Sequence, residues 1–210
     1  MAGVFLVLEG PEGSGKSTQA QQLADRLQRE GRMVVVTREP GGTPIGEQIR
    51  RVLLDSANCA MLAETEALLL SAARAQHVAE VIRPALAKGA VVVCDRYIDS
   101  TLAYQGGGRG LDVEALLRVQ RFATGGLVPD LRILLDVPVE VGLKRRLSGA
   151  GEVNRLDLAE LSFHRRVRDA YLRLAAADQD GWVVVDAERP AGEVASSVYA
   201  AVTPLLSPPT

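Results

Sequence analysis

Short hydrophobic runs alternate along the chain with longer segments in which apolar residues recur every three or four positions. The short runs are rich in valine and leucine, which is typical of strands buried on both faces of a sheet. This alternation predicts an α/β fold, with a five-stranded parallel sheet and helices on both of its faces. The runs that predict strands are 4–9, 33–37, 90–94, 131–137 and 182–186.

The longer segments have the spacing of amphipathic helices. Pro84 lies inside one of them and is expected to kink or divide that helix, because proline lacks a backbone N–H. Asp157 and Glu160 resemble a capping box at the start of another. The predicted helices are 16–30, 44–55, 64–88, 112–124, 139–148, 158–178 and 190–206.

Length and composition place the chain among compact globular proteins. It has 210 residues, of which 47% are hydrophobic and 24% charged, which predicts a single domain over residues 1–210. The formal charge of −2 argues against binding to nucleic acids or anionic membranes, since such surfaces normally carry a large basic excess.

The two cysteines and the first ten residues indicate in which cellular compartment the protein is expected. Cys59 and Cys94 are too few for a disulfide framework and have no metal-ligand spacing. The first residues, MAGVFLVLEG, lack a basic leader and a small-residue cleavage site, so they predict a strand rather than a signal peptide. We therefore expect a cytoplasmic protein without a membrane span.

A phosphate-binding motif, GPEGSGKS, follows the first predicted strand and precedes a helix. In such P-loops the glycines let backbone N–H groups surround phosphate oxygens, and the helix N-terminus adds its dipole. Lys16 is expected to reach the β and γ phosphates of ATP, and Ser17 to offer its hydroxyl to Mg²⁺. The candidate ATP-binding residues are Gly10, Pro11, Glu12, Gly13, Ser14, Gly15, Lys16, Ser17 and Thr18.

Glu12 is a carboxylate inside a loop that attracts anions. It would repel phosphate unless its side chain points elsewhere. We expect it to face a hydroxyl group of a second substrate.

The third predicted strand ends in VVVCDR, which places Asp95 at the edge of the sheet where ligands bind. Asp95 there can hold Mg²⁺ together with Ser17. The next residue is Arg96 and not an acid, so the acidic pair that many ATPases use to activate water is missing. The sequence N-K-x-D, which reads guanine, does not occur. A kinase is therefore favoured over a hydrolytic switch.

A polar, glycine-containing stretch, SGAGEVNRLD, lies between two predicted helices and is flanked by basic residues. It predicts a mobile lid at about residues 148–157 that closes on ATP. A solvated basic helix end is the alternative. The basic residues are Lys144, Arg145, Arg146 and Arg155.

The chain resembles thymidylate kinases of the bacterial type over almost its whole length. The segments around Arg38 and Tyr97 are more specific than the P-loop. The resemblance is carried by GPEGSGKS at 10–17, TREPGGTPIGEQIR at 37–50, LLLSAARAQHV at 68–78, CDRYIDSTLAYQGGGRG at 94–110, PDL at 129–131, and NRLD with FH between 154 and 164.

This resemblance implies roles for individual residues. Arg50 and Arg96 grip the phosphate of dTMP, Arg74 hydrogen-bonds the thymine carbonyl, and the ring of Tyr104 excludes a ribose 2′-hydroxyl. Arg155 is the lid arginine that reaches ATP, so Lys16, Arg96 and Arg155 become the candidate catalytic residues. The implied dTMP-binding residues are Glu12, Arg38, Pro40, Arg50, Leu70, Arg74, Arg96, Thr101, Tyr104 and Gln105.

The resemblance also implies a reaction and an assembly. ATP and dTMP are the expected substrates, Mg²⁺ the cofactor, dTDP the product on the way to dTTP, and a homodimer the expected assembly. Leu70 departs from the family, which usually has a phenylalanine there that stacks on the base. Two alternatives remain: a kinase for dUMP, CMP or AMP, and a P-loop protein that binds a nucleotide without turning it over.

Overall fold

The computed structural model describes residues 3–149 and 153–206. Within these residues five strands form one sheet, and every neighbouring pair is parallel. The strands are β1 (Val4–Glu9), β2 (Val34–Arg38), β3 (Val91–Asp95), β4 (Leu131–Asp136) and β5 (Trp182–Asp186). Their order across the sheet is β2-β3-β1-β4-β5, so the predicted parallel sheet is confirmed.

Helices connect successive strands, as the βα alternation predicts. In the described part of the chain, none of them combines the length and the apolarity that crossing a membrane requires. They are α1 (Lys16–Arg29), α2 (Pro44–Leu54), α3 (Ala63–His77), α4 (Arg83–Ala87), α5 (Ile98–Thr101), α6 (Val113–Thr124), α7 (Val139–Leu147), α8 (Leu161–Ala177) and α9 (Ala191–Val202).

The central strand β1 is covered on both faces. Leu6 and Leu8 lie in a buried cluster with side chains of α1 and α9. Phe5 and Val7, which point to the opposite face because successive residues of a strand alternate, cluster with Ile82. The prediction of helices on both faces of the sheet is therefore confirmed.

The predicted helix 64–88 keeps a helical backbone through Pro84, but its hydrogen-bond pattern changes just before this residue. It runs as α3, then as a π-helical turn at Val78–Ile82, and then as α4, in which Pro84 occupies the first turn. Proline has no N–H to donate inside a helix, and the π-helical turn lies just before it. The expected interruption near Pro84 is thus a local π-helical turn and not a break in the helical backbone.

The predicted capping box at Asp157 and Glu160 is wrong. Helix α8 begins at Leu161, and the side chain of Glu160 makes no capping hydrogen bond. The carboxylate of Asp157 instead accepts hydrogen bonds from the backbone N–H of Asn154 and from Arg146. The last predicted helix also ends early, since α9 gives way to a 3₁₀ turn at Thr203–Leu205.

Candidate functional site

The site lies where the carboxyl ends of three strands meet. Asp95 of β3 is in register with Leu8 of β1 on one side and with Arg38 of β2 on the other. In the sheet, β2 and β3 lie on one side of β1, and β4 and β5 lie on the other. The direction in which the connections run therefore reverses at β1. In open α/β sheets ligands bind in the crevice at such a switch point.

The P-loop turns tightly at this edge. Gly13 (φ 68°) and Gly15 (φ 88°) have left-handed backbone conformations that favour glycine. A Cβ on Gly13 would also overlap the carbonyl oxygen of Gly142 in α7, so a side chain there would displace the loop. The glycines of the motif are thus needed both for conformation and for close packing.

Lys16 begins α1 and folds back over the loop. Its Nζ donates to the backbone oxygens of Gly10 (3.0 Å) and Pro11 (2.8 Å) and to Oγ of Ser14 (3.2 Å). Burial, reinforced by the charge of Arg96, lowers the pKa of Lys16 to about 8, although nearby carboxylates oppose the shift. The ammonium group is therefore held in place at the loop. The neighbouring carboxylates do not fully offset the cost of burying its positive charge.

Ser17 and Asp95 supply an oxygen pair next to the loop. The hydroxyl of Ser17 donates to Oδ2 of Asp95 at 2.5 Å. Hydroxyl and carboxylate oxygens are the ligands that Mg²⁺ prefers. The donor set expected from the sequence is therefore brought together.

A cavity of about 1000 Å³ opens in front of the P-loop. It contains much of the predicted ATP site and both predicted metal ligands. Of the remaining predicted loop residues, Gly10, Pro11 and Ser14 contact Lys16 beneath the cavity. The predicted residues that line the cavity are Glu12, Gly13, Gly15, Lys16, Ser17, Thr18, Arg38, Arg50, Asp95 and Arg96.

A second cavity adjoins the first and contains nearly all of the predicted acceptor site. Arg38 is the exception, since it lines the first cavity and pairs with Glu47 at 3.1 Å. The predicted residues lining the second cavity are Glu12, Pro40, Arg50, Leu70, Arg74, Arg96, Thr101, Tyr104 and Gln105. The residues common to both cavities are Glu12, Glu39, Arg50, Leu54, Arg96 and Asn154.

Arg96 lies at the junction of the two cavities in a strained conformation. Its φ of 74° is the only positive value of a non-glycine residue in the described ranges 3–149 and 153–206. Such strain is concentrated at functional sites. Glu9 helps to hold this turn, because its buried carboxylate accepts the backbone N–H of Tyr97 at 2.8 Å. Sequence reasoning missed Glu9, whose only signal is a carboxylate at the end of a buried strand.

Arg96 also holds Glu12. Its Nη2 donates to Oε1 of Glu12 (2.9 Å) and to the hydroxyl of Tyr104 (3.0 Å), which itself donates to Glu12 at 2.8 Å. Burial alone would raise the pKa of Glu12, but Arg96, Lys16 and Tyr104 together outweigh it and lower the pKa to about 2. Glu12 is therefore ionised, and it lines both cavities while its carboxylate is held by Tyr104 in the wall of the second.

Arg74 is fixed in the wall of the second cavity by a buried network. Its Nε donates to Glu39 (2.6 Å), its Nη1 to Thr101 (3.0 Å) and Gln120, and its Nη2 to the backbone oxygen of Tyr97 (2.8 Å). A guanidinium has five N–H groups, so these contacts among the described residues leave one for a ligand. Sequence reasoning missed Glu39 and Gln120 because both are distant along the chain from Arg74.

Gln105 lines the same cavity and carries a buried acceptor without a partner in the described residues. Its Nε2 donates to Glu66 at 2.6 Å, whereas its Oε1 has no hydrogen-bond partner in the described part of the chain. Since an orphaned buried acceptor is costly, such groups are commonly completed by a ligand.

Arg155 lines neither cavity. Its guanidinium pairs with Glu66 of α3 and donates to the backbone oxygen of Leu53 at 3.2 and 3.3 Å. The neighbouring Asn154 and Leu156 do line the second cavity. Arg146 lines the first cavity, although it was not among the predicted site residues.

Comparison with known proteins agrees with this geometry. The profile of the family described as thymidylate kinase matches residues 8–198. The chain is 58% identical to the thymidylate kinase of Thermomicrobium roseum over 202 residues, covering 96% of this chain and 95% of that protein. It is 52% identical to the thymidylate kinase of Pseudomonas fluorescens strain SBW25 over 206 residues, covering 98% of each. The chain thus belongs to the thymidylate kinase family and has its P-loop NTPase fold.

Proposed function

We propose that this protein transfers the γ-phosphoryl group of ATP to the 5′-phosphate of dTMP, giving dTDP and ADP on the route to dTTP. The observation that carries the proposal is the junction of the two cavities. Arg50 and Arg96 line both the cavity at the P-loop and the cavity walled by Arg74 and Gln105. A phosphate donor on one side and a monophosphate acceptor on the other would meet at these two arginines.

The chemistry needs positioning and charge rather than a covalent intermediate. Lys16 would bind the β and γ phosphates, and Arg96 would bind both the acceptor phosphate and the transferred group. Arg50 lines both cavities together with Arg96, and its Nη1 donates to the backbone oxygen of Pro40 at 2.9 Å. Because negative charge spreads over the transferred phosphoryl, preorganised cations in a cavity sheltered from water stabilise the transition state.

Mg²⁺ would be held at Ser17 and Asp95, whose oxygens fit its preference. When bound, the ion neutralises phosphate charge and orients the β and γ phosphates. The hydroxyl of Ser17 and the carboxylate of Asp95 already face each other, so both oxygens would be available to hold the ion together.

The base would be read by Arg74 and Gln105. Thymine offers a carbonyl acceptor next to an N3–H donor. The remaining N–H of Arg74 would donate to the carbonyl, and Oε1 of Gln105 would accept N3–H. Cytosine has an acceptor at N3 and would leave the Gln105 oxygen without a partner. Leu70 supplies apolar contact in this cavity in place of an aromatic ring.

An ADP-release assay with a panel of monophosphates tests the proposal. The highest kcat/KM is expected with dTMP. A higher value with CMP or AMP would identify a different kinase. Tight nucleotide binding without ADP release for any acceptor would identify a binding protein.

Tyr104 is proposed to select the deoxyribose by steric exclusion. Tyr104→Ala should raise the kcat/KM of UMP relative to that of dUMP, because the space that a 2′-hydroxyl needs is opened. Tyr104→Phe keeps the ring and removes only the hydroxyl bound to Glu12 and Arg96, so it should keep the preference for dUMP. If both variants discriminate like the unaltered enzyme, another group excludes the ribose.

We also propose that the chain is a single kinase domain in which residues 148–157 form a mobile lid. Residues 150–152 of this segment lie outside the described residues. That Arg155 reaches ATP stays a prediction, and it requires release from Glu66. We infer a cytoplasmic location, which suits the free thiols of Cys59 and Cys94.

A homodimer is proposed on the basis of the family and of an exposed apolar surface on α2, α3 and α6. Val52, Leu68, Leu117 and Phe122 are 46%, 59%, 45% and 92% exposed, and a second copy would cover them. Light scattering should give twice the 22.4 kDa of one chain. Phe122→Glu should shift the mass towards the monomer, because a charge in an apolar interface is costly. An unchanged dimer would exclude Phe122 from the interface.

A further inference from the structure

One buried carboxylate joins Gln105, which lines the acceptor cavity, to two arginines outside its lining. Glu66 of α3 is 1% exposed. Its Oε1 accepts from Nε2 of Gln105 at 2.6 Å, and its Oε2 contacts Arg155 and, at 3.4 Å, Arg109. Two positive side chains compensate the charge, which a buried carboxylate requires.

The first consequence concerns the orientation of Gln105. An ionised carboxylate accepts hydrogen bonds and donates none, so only the NH₂ group of Gln105 can face Glu66. The amide oxygen must then point away from Glu66, and it is this oxygen that has no partner in the described residues. Glu66 thereby decides whether the amide offers the base an acceptor or a donor.

The second consequence concerns the segment that holds Arg155. Arg155 is 8% exposed and is bound both to Glu66 and to the backbone oxygen of Leu53 in α2. Asn154 and Leu156 on either side of it line the acceptor cavity. The ion pair with Glu66 therefore fixes one wall of that cavity.

We propose that Glu66 is a positioning residue for acceptor recognition. It holds the oxygen of Gln105 towards the base and, through Arg155, anchors residues 154–156 over the same cavity. The inference rests on the proposed function and adds the residue that sets base selectivity. Glu66 itself need not touch the nucleotide.

Glu66→Gln tests the orientation of Gln105, because it keeps the size of the side chain and removes its charge. A glutamine at position 66 offers either an NH₂ group or an oxygen, so the amide of Gln105 is free to rotate and to present its NH₂ to cytosine N3. The ratio of kcat/KM for dTMP to that for dCMP should fall by roughly tenfold or more, the effect of one mispaired buried group.

Two further variants make this result specific. Arg109→Gln removes a cation from the same carboxylate without altering Gln105 or Arg155, and should keep the dTMP to dCMP ratio. The reciprocal exchange Glu66→Gln with Gln105→Glu restores a defined pairing, because the carboxylate introduced by Gln105→Glu can only accept hydrogen bonds; it should recover most of the ratio. Equal losses with dTMP and dCMP in Glu66→Gln, with a lowered Tm, would show a merely structural role and overturn the proposal.

Arg155→Gln tests the anchor. It should raise KM for dTMP by roughly 5- to 150-fold, the usual range of coupling between sites, and should lower kcat as well where Arg155 also reaches ATP. Hydrogen exchange of residues 153–160 should lose its protection by dTMP in this variant. A loss of kcat with an unchanged KM for dTMP would place Arg155 at the phosphoryl group and overturn the anchor. Unaltered protein that fails to phosphorylate dTMP would instead reject the proposed function.

Discussion

Arg96→Ala is expected to lower kcat by roughly 10³- to 10⁵-fold, the range found for arginines that stabilise a transferred phosphoryl group. Arg96 is, with Arg50, one of two arginines that line both cavities, and its backbone is held in a strained conformation at their junction. The substitution also removes the main partner of Glu12, so burial would raise the pKa of that carboxylate. KM for dTMP should therefore rise as well.

Steady-state kinetics with dTMP and ATP varied in turn would measure both effects. Arg168→Ala is a matched control, because Arg168 forms an ion pair of 2.7 Å with Asp136 outside the residues that line the two cavities. This control should change kcat little. Arg96→Lys keeps a charge without the planar fork and should fall between the unaltered enzyme and the alanine variant. A kcat of Arg96→Ala within about tenfold of normal would remove Arg96 from the catalytic residues.

The parallel sheet and the P-loop were predictable from sequence because their signals are local. A run of β-branched residues, a glycine motif and the helix after it occupy consecutive positions, and β1 and α1 begin where predicted. The helical turn at Leu102–Gly108 was not predicted. Its three glycines normally indicate a turn, yet a Cβ on Gly107 or Gly108 would clash with α8. The reason for these glycines lies in a helix more than fifty residues away.

The candidate site likewise combines residues that were predictable from sequence with contacts that were not. Family resemblance supplied the residues that line the cavities, but not the side chains that orient them. Glu66 and Gln120 act on Gln105 and Arg74 across long separations in sequence, and no local pattern marks such pairs. Arg155 is a basic residue in a polar stretch of the sequence. That pattern indicated only that its charge is available to a phosphate. The buried carboxylate with which it pairs depends on the packing of the segment against α3.

Lys16→Met is expected to lower kcat by roughly 10²- to 10³-fold, comparable to the loss of one preorganised group that stabilises transition-state charge. Methionine nearly matches the length of the lysine side chain, so the apolar contacts of its stem are largely kept. KM for ATP should also rise, because the positive charge at the β and γ phosphates is lost. The ADP-release assay measures both effects, and near-normal turnover would contradict the assigned role of Lys16.

Lys16→Met should lower activity without lowering stability near pH 7. A loss of catalysis can therefore be distinguished from a folding defect. Burial lowers the pKa of Lys16 to about 8 from its ordinary value of 10.5. The unfolded chain therefore binds more protons at this residue between these two values, so its contribution makes the free energy of unfolding rise with pH in that window. Lys16→Met should lack this contribution and should be at least as stable near pH 7, where the buried ammonium is charged. Urea unfolding of both proteins at about pH 7 and about pH 10 measures the difference. A variant destabilised equally at both pH values would show that the hydrogen bonds of Lys16 to Gly10 and Pro11 outweigh the cost of burying its charge.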